Sequence, residues 1–561
     1  MNDISRTSPA AWRCCARAAS FATILFCVGV SAEAGPHRAR LSNDLAERVA
    51  TGASGSSSVI VSGTDAEVRT LMARYGARLK KTVSGGAVLD VTSGQLDAIS
   101  QDPDVAHISG DVPVHRMMAV TTEATGATQV WSGISGLRGF TGRGIGVAVI
   151  DSGVANHAAL RGRIVASVDF TGGNDAGRDL FGHGTHVAGI IAGSDEGGYA
   201  GVAPGAHIVS LQVLGPDGAG DTSDVINAID WAVAHKGQYK LRVINLSLGH
   251  PVLESYRDDP LCQAVKRAVD AGLVVVAAAG NLGKTDDGRA IIGGIISPGN
   301  APGALTVGAL NTRGTPQRSD DVMATYSSRG PTRFDGLLKP EISAPGNRIT
   351  APAAAGSYLA LTYPERVVSG SGNQAYIELS GTSMSSAVVT GAVALLLESN
   401  PSLSPDDTKL ALQLTSSRVA GAGLIESGAG SLNVAGAVAL GSKRARASEQ
   451  IVISGELQQR TGVFFSPTNA GTRVSVAFRN APSLLLTSLS ASPVGLPNTA
   501  VLNLGPQSIV WTNSIVWTNS IVWTNSIVWT DSIVWTDSIV WTDSIVWTDG
   551  ILETSSDPQK D

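Results

Sequence analysis

From residue 144 onward the chain alternates short apolar runs with longer amphipathic stretches. Residues 145–150 form an apolar run without clean alternation, as a strand buried on both faces gives. Similar runs follow at 208–213, 243–248, 273–278 and 304–307. Helical periodicity fills the intervals at 185–192, 222–236 and 260–271. Apolar strands alternating with helices predict a mostly parallel sheet covered on both sides. Functional side chains in such sheets gather beyond the C-terminal ends of the strands. Asp151, Ser247 and Gly280-Asn281 stand at three such ends.

A different rhythm precedes this region. Strands are predicted at 58–62, 86–91 and 105–108, with helices at 65–75 and 93–99. Together they make a small α/β module of roughly 60 residues, a size only marginally stable alone. Residues 35–55 read as a loose polar segment, and 116–140 as a linker followed by an arm. Downstream, a second long apolar run at 387–397 predicts a buried helix, and 408–414 a further one. The large domain is expected to close near 440, with a charged linker at 441–450. Residues 451–504 carry short β-type segments, such as 462–465 and 474–478.

The tail is a tandem array. Ser-Ile-Val-Trp-Thr-Asn/Asp occurs seven times without a gap, from Ser508 to Asp549, and holds seven of the ten tryptophans. A single strand of that length is unreasonable. Turns at the Thr-Asn-Ser and Thr-Asp-Ser junctions predict a short solenoid, stacked hairpins, or a strand array made with other chains. The array is a candidate surface for self-association or for attachment to a cell surface.

With 561 residues, the chain is too long for one ordinary domain. Its net charge of −6 and the lack of a basic stripe argue against a nucleic-acid partner. Residues 1–34 have the form of an export signal: Arg6, Arg13 and Arg17, an apolar core at 18–30, then small residues suited to cleavage. Removal of that segment takes Cys14, Cys15 and Cys27 with it and leaves Cys262, so the body has no internal disulfide. Cys262 sits on a predicted helix and reads as a packing residue.

Three stretches carry chemistry. Gly381-Thr382-Ser383 opens the apolar run at 387–397, which places Ser383 at the positive end of a helix. Asp151 ends the first buried strand within Ile150-Asp151-Ser152-Gly153. His183 lies in Gly182-His183-Gly184-Thr185-His186, a glycine-rich turn opening a helix. An alcohol, an imidazole that takes and returns its proton, and a carboxylate that fixes the imidazole tautomer are the parts acyl transfer needs. A His183/His186 metal pair lacks further ligands, and His186 reads as structural.

With these motifs in their Asp-His-Ser order, the chain resembles the subtilisin-like serine proteases over about residues 120–440. The resemblance implies an α/β, three-layer subtilisin-like fold with a mostly parallel central sheet. A small α/β propeptide domain would precede it and a β-rich C-terminal region follow. The implied organisation is a signal at 1–34, an inhibitory propeptide at 35–118 and a catalytic domain at 119–440. After these come a linker with a small β-domain at 441–507, the repeats at 508–549 and a polar tail at 550–561. Carried over residue by residue, Asp151, His183 and Ser383 would be the triad. Asn281 and the Ser383 N–H would form the oxyanion hole. Ser247-Leu248-Gly249 and Gly218-Ala219-Gly220 would hold a peptide substrate as an added strand, and Ala278-Ala279-Gly280 would line its cleft. The implied activity is secreted endopeptidase action through an acyl-enzyme, with autoprocessing from a zymogen inhibited by its own propeptide.

Further implications are finer. Ala278, Ala279 and the stretch Ser297-Pro298-Gly299-Asn300 point to an uncharged primary pocket, with large apolar side chains expected before the scissile bond. No cofactor is required for the chemistry. Structural calcium is common in the family, and Asp169, Asp175 and Asp179 in one loop are the candidates, without an assigned site. Two departures from the family pattern stand out. Ala387-Val388 replaces the usual Pro-His or similar pair after the serine. The segment before Ser383 is also long, with residues 353–376 carrying Tyr358, Tyr363 and Arg366 as a candidate flap. The competing reading is a secreted adhesive or binding protein on an inactive scaffold of this kind.

Overall fold

The computed structural model describes residues 38–111, 117–442 and 451–477, apart from 51, 53–54, 84, 135, 174–175, 195–197 and 469–470. Beyond them it describes residues 499–504 and short stretches of the repeats. The export-signal segment lies outside the described residues. The chain divides into two compact units, Met1–Val114 and His115–Asp561.

The first unit holds β1 (Arg40–Leu41), α1 (Asn43–Ala50), β2 (Ser56–Ser62), α2 (Asp65–Tyr75), β3 (Arg78–Val83), β4 (Gly86–Thr92), α3 (Ser93–Ser100) and β5 (His107–Gly110). The sheet order is β1-β5-β2-β4-β3. Thr64 and Thr92 start α2 and α3 as reciprocal caps with Glu67 and Gln95. Val59, Val61, Leu71, Leu89, Leu96, Ile99 and Ile108 make its core. Two expectations are corrected. Part of the stretch read as loose forms β1 and α1. Sequence patterning also missed β3, because Arg-Leu-Lys-Lys-Thr-Val is exposed along its whole length at the sheet edge.

The second unit opens with α4 (Met117–Ala124) and α5 (Ala127–Ser132), where a linker and arm were expected. Then come β6 (Gly146–Asp151), β7 (Ile164–Asp169), α6 (His183–Ala192), β8 (His207–Gln212), α7 (Thr222–His235), β9 (Leu241–Leu246), β10 (His250–Pro251), α8 (Pro260–Asp270) and β11 (Val274–Ala278). They are followed by β12 (Ile296–Ser297), β13 (Leu305–Asn311), β14 (Val322–Met323), β15 (Ile342–Pro345), β16 (Ile349–Pro352), α9 (Tyr358–Thr362), β17 (Val367–Ser369), β18 (Tyr376–Leu379), α10 (Thr382–Ser399), α11 (Pro405–Thr415), α12 (Leu424–Ser427) and α13 (Val434–Gly441).

The main sheet runs β14-β13-β11-β9-β6-β8-β7, with β15 also paired to β13. All its pairings are parallel except β13 with β14. The strand runs at 145–150, 208–213, 243–248, 273–278 and 304–307 are borne out within a few residues. On β6, Val147 and Val149 enter the core beneath α6 and α10, whereas Ala148 and Ile150 enter the core beneath α7 and α8. Two buried faces explain the unbroken apolar run. Burial all round likewise explains α10, buried from Thr382 through Leu397. It is long and apolar enough to cross a membrane, but it is a core helix.

After the large domain, β19 (Ile451–Ile453) and β20 (Glu456–Gln458) form a hairpin, and β21 (Val463–Thr468), β22 (Gly471–Ala477) and β23 (Thr499–Leu504) an antiparallel sheet. The Glu456 carboxylate accepts from the Arg318 N–H at 2.7 Å, and Gln413 Oε1 from the Phe465 N–H at 2.6 Å, so this region is tied to the large domain. In the repeats, Ile509–Thr512 pairs in parallel with Ile527–Thr530, and Trp517–Thr518 with Trp535–Thr536. Each partner lies three hexapeptides further along, so Ile registers with Ile and Trp with Trp. Hairpins would instead pair neighbouring repeats antiparallel.

Candidate active site

Asp151 is the last residue of β6, a central strand flanked by β9 and β8. Its fully buried carboxylate accepts from the Ser152 N–H at 2.8 Å and faces His183 Nδ1 at 2.8 and 3.0 Å. His183 is the first residue of α6. The helix start must come close to the strand end, and glycine permits it: a Cβ on Gly184 would lie 2.1 Å from the Gly153 carbonyl oxygen. Nδ1 therefore carries the proton, donated to Asp151, and Nε2 is left with its lone pair toward the cleft. Burial lowers the His183 pKa, but the charge and hydrogen bond of Asp151, with the charge of Asp179, outweigh it and leave the value raised.

Ser383 is the second residue of α10, and its hydroxyl donates to the Ser247 carbonyl at 3.0 Å. Contacts between catalytic groups often tighten only when substrate binds. In the first turn of α10, the Thr382 N–H donates to Asn281 Oδ1 at 3.0 Å, and the Met384 and Ser385 N–H groups donate to the Gly381 carbonyl. The Ser383 N–H takes part in none of these bonds. Thr382 Oγ1 also donates to Asn281 Oδ1, at 3.1 Å, and accepts from the Gly280 N–H. Two donors fix Asn281 Oδ1, which turns the amide nitrogen the other way. Among the described residues, no hydrogen bond occupies the Asn281 amide nitrogen or the Ser383 N–H.

Beneath Ser383 lies a second layer. Ser247 Oγ contacts the Ser383 carbonyl at 3.0 Å and Ser386 Oγ at 2.8 Å; Asn245 Nδ2 donates to Ser247 Oγ, and Thr390 Oγ1 to Asn245 Oδ1. The Ser247 side chain therefore supports α10, and its backbone is what reaches the cleft. Ala387 and Val388 are wholly buried, so this departure from the family pattern acts on packing alone. His186 is buried, with Nε2–H donating to the Ile349 and Ile377 carbonyls at 3.0 and 3.1 Å; burial depresses its pKa to about 3. That is the structural role expected of it. Cys262 is buried against Asp259 and Asn300, and burial raises its thiol pKa, consistent with packing.

Both carboxylate oxygens of Asp179 are engaged by hydrogen-bond donors. Its two oxygens accept from Ser152 Oγ (2.8 Å), Gly182 N–H (2.6 Å), Thr185 N–H (2.8 Å) and Thr185 Oγ (2.6 Å). It joins the end of β6 to the start of α6, holding both triad partners from behind. Asp169 Oδ1 accepts from Thr171 N–H and Oγ, and Asp175 lies outside the described residues. Among the described residues no group of three His, Cys, Asp or Glu side chains could hold a metal ion. Burial raises the Asp179 pKa to about 6 against its four donors. Since all four partners donate, the network requires the ionised form. Asp179→Asn should then cut kcat/KM by on the order of tenfold or more through misplacement. It should also move the acid limb of the pH profile downward, because His183 loses a stabilising negative charge. An unchanged limb with kcat/KM within twofold would contradict this role.

A cavity of 340 Å³ opens beside His183, lined by Phe181, Leu214, Gly218, Ala219, Gly220, Leu248 and Gly249 among others. Both predicted edges thus face one cleft. A larger hollow of 820 Å³ lies at the opposite ends of the strands, near Arg143, Lys240 and Arg242, with none of the predicted site residues. Residues 353–376 do approach the site. The Tyr358 and Leu359 N–H groups donate to the Leu180 and Phe181 carbonyls, and the Tyr358 ring stacks on Phe181 at 5.8 Å. Sequence reading missed Asp179, Thr382 and Phe181 as parts of the site; the short spacing of Asp179 and Phe181 from His183 was the available signal.

The subtilase family profile matches residues 142–438, more than half of the chain. Serine protease AprX of Bacillus subtilis is 35% identical over 330 residues, covering 57% of this chain and 71% of that protein. Alkaline elastase YaB of a Bacillus strain is 35% identical over 310 residues, covering 55% and 68%. Among solved structures, the S41 psychrophilic protease aligns at 31% identity with a TM-score of 0.44, covering 55% of this chain and 97% of that one. The chain belongs to the subtilase family. It is a serine endopeptidase with a subtilisin-like serine-protease mechanism and the family's α/β fold.

Proposed function

We propose that Ser383 is the nucleophile, His183 the general base and then acid, and Asp151 the carboxylate that orients and stabilises the imidazole. The single observation that carries this is the convergence on one sheet end of an Asp151–His183 pair, a serine at a helix start, and two unspent donors. Ser383 Oγ attacks the scissile carbonyl as His183 Nε2 takes its proton. Asn281 Nδ2 and the Ser383 N–H hold the oxyanion. Collapse of the tetrahedral intermediate breaks the C–N bond, and protonated His183 gives its proton to the leaving amine. Water then attacks the acyl-enzyme ester by the same steps in reverse roles. The substrate backbone lies between Ser247-Leu248-Gly249 and Gly218-Ala219-Gly220 as an added strand. Ala278, Ala279 and Gly280 offer no charge, which favours an uncharged residue before the scissile bond. No step is routed through a metal.

The protein is exported by residues 1–34 and made as a zymogen. The α/β module within residues 35–118 acts as folding aid and inhibitor, and the chain frees itself by cleavage near 112–122. Incubating purified precursor beside its Ser383→Ala form, with mass spectrometry of the fragments, tests this. The wild-type chain should lose the module and the variant keep it; equal maturation of both would overturn it.

The hexapeptide array serves self-association or surface attachment. Deleting residues 508–549 should leave peptide cleavage within about twofold, since no residue named above lies in that segment, while sedimentation or cell-retention assays lose the larger species. Unchanged size and retention would refute that role.

A further inference from the structure

The gap that receives the side chain before the scissile bond is bounded by two walls. β9 and β11 are neighbours in the sheet, with Leu246 registered against Ala277. Their continuations, 247–249 and 279–281, flank Ser383: one gives the carbonyl that meets its hydroxyl, the other Asn281. A peptide carbonyl placed at Ser383 with its oxygen toward Asn281 sets its adjacent side chain over the space between these walls.

That space is not left open. Ile296, in β12, donates its N–H to the Ala279 carbonyl at 3.1 Å and registers with Pro251 of β10. A Cβ on Gly249 would lie 2.7 Å from Ile296 Cδ1, and one on Gly280 would lie 2.8 Å from Ile296 Cγ2. One side chain thus fills the hollow that both glycines leave, while remaining part-exposed. Isoleucine is branched at Cβ and stiff at χ1, so it does not fold aside. Behind it, Ser297, Asn300 and Asp259 are buried, and the Ser297 hydroxyl donates to Asp259 Oδ2 at 2.6 Å.

We propose that Ile296 restricts the residue before the scissile bond to small uncharged side chains such as Ala, Ser or Gly. The large apolar side chain expected from Ala278 and Ala279 omitted Ile296, which sequence spacing did not connect to the cleft. Apolar selection falls instead to the cavity that Phe181, Leu214 and Leu248 line beside His183, which takes a side chain further toward the substrate N-terminus. The substrate class is therefore a peptide with a small residue at the cut and an apolar anchor upstream. This rests on the proposed roles of Ser383, His183 and Asn281.

The test is kcat/KM on matched peptides with Ala, Val, Leu or Phe before the cut, for the mature wild-type chain, Ile296→Gly and Ile296→Val. Wild type should prefer Ala to Phe by about tenfold or more. Ile296→Gly should raise the Phe/Ala ratio by about tenfold, with the Val variant between. The Val variant alone decides the matter if the Gly variant does not fold. A wild-type preference for Phe, or a Phe/Ala ratio moving less than twofold in the variants, would overturn the proposal. Failure of the underlying protease reading would look different: no peptide cut at all and no labelling by a small fluorophosphonate.

Discussion

Ser383→Ala is expected to lower kcat by about 10⁶, the size of effect that loss of the nucleophile has in subtilisin itself. Substrate binding should change little, because the walls at 218–220 and 247–249 stay in place when the hydroxyl's hydrogen bond to the Ser247 carbonyl is lost. Among the described residues the Ser383 hydroxyl donates to the Ser247 carbonyl, and the buried support runs through Ser247, Ser386, Thr390 and Asn245. The fold should therefore survive the change. His183→Ala should give nearly the same loss, and the double variant no more than either alone, because the two act as one unit. Steady-state kinetics on a peptide substrate, with a melting temperature as control, checks both points. A loss below about a hundredfold would remove Ser383 from the proposed chemistry.

Asn281→Leu carries the second largest effect. Its amide nitrogen is aimed by the hold of Thr382 N–H and Oγ1 on Oδ1, at 3.0 and 3.1 Å, so it is set before any charge develops. Removing it should cost about 3–4 kcal/mol of transition-state stabilisation, or 10²–10³ in kcat, with KM nearly unchanged. The split matters: a donor serving only the oxyanion lowers kcat, whereas a ground-state contact would raise KM. Thr382→Val should give a smaller loss of the same kind, since it frees Asn281 to rotate without removing the donor. A rise in KM at constant kcat would assign Asn281 to substrate binding instead.

Much of this site was legible because its motifs are local. Gly182-His183-Gly184 and Gly381-Thr382-Ser383 each place a reactive side chain at a helix start within a few residues, and Asp151 ends a run buried on both faces. The edge at 218–220 and the strand end at 247–249 were legible through resemblance. What was hidden depends on contacts distant in sequence. Ile296 meets Gly249 and Gly280 only after β10 and β12 pair. Asp179 looked like one of three loop carboxylates until its four donors were placed around it. The exposed edge strand β3 has no hydrophobic periodicity, and the stretch before it had a helix's pattern that ended in the αL residue Gly76. The insertion at 353–376 was read as a candidate flap without an anchor, and two backbone hydrogen bonds join it to the loop before His183.

The Ala387-Val388 departure bears on the alternative of an inactive scaffold. Both residues belong to α10 and are wholly buried in the core. Nothing in that exchange removes a reacting group.

The most direct measurement is covalent labelling of the mature chain with a fluorophosphonate, followed by peptide mapping. The account predicts one adduct, on Ser383, formed with a pH dependence that follows deprotonation of His183, and lost in His183→Ala. A folded, processed chain that takes no label at Ser383, or takes it equally well without His183, would contradict it.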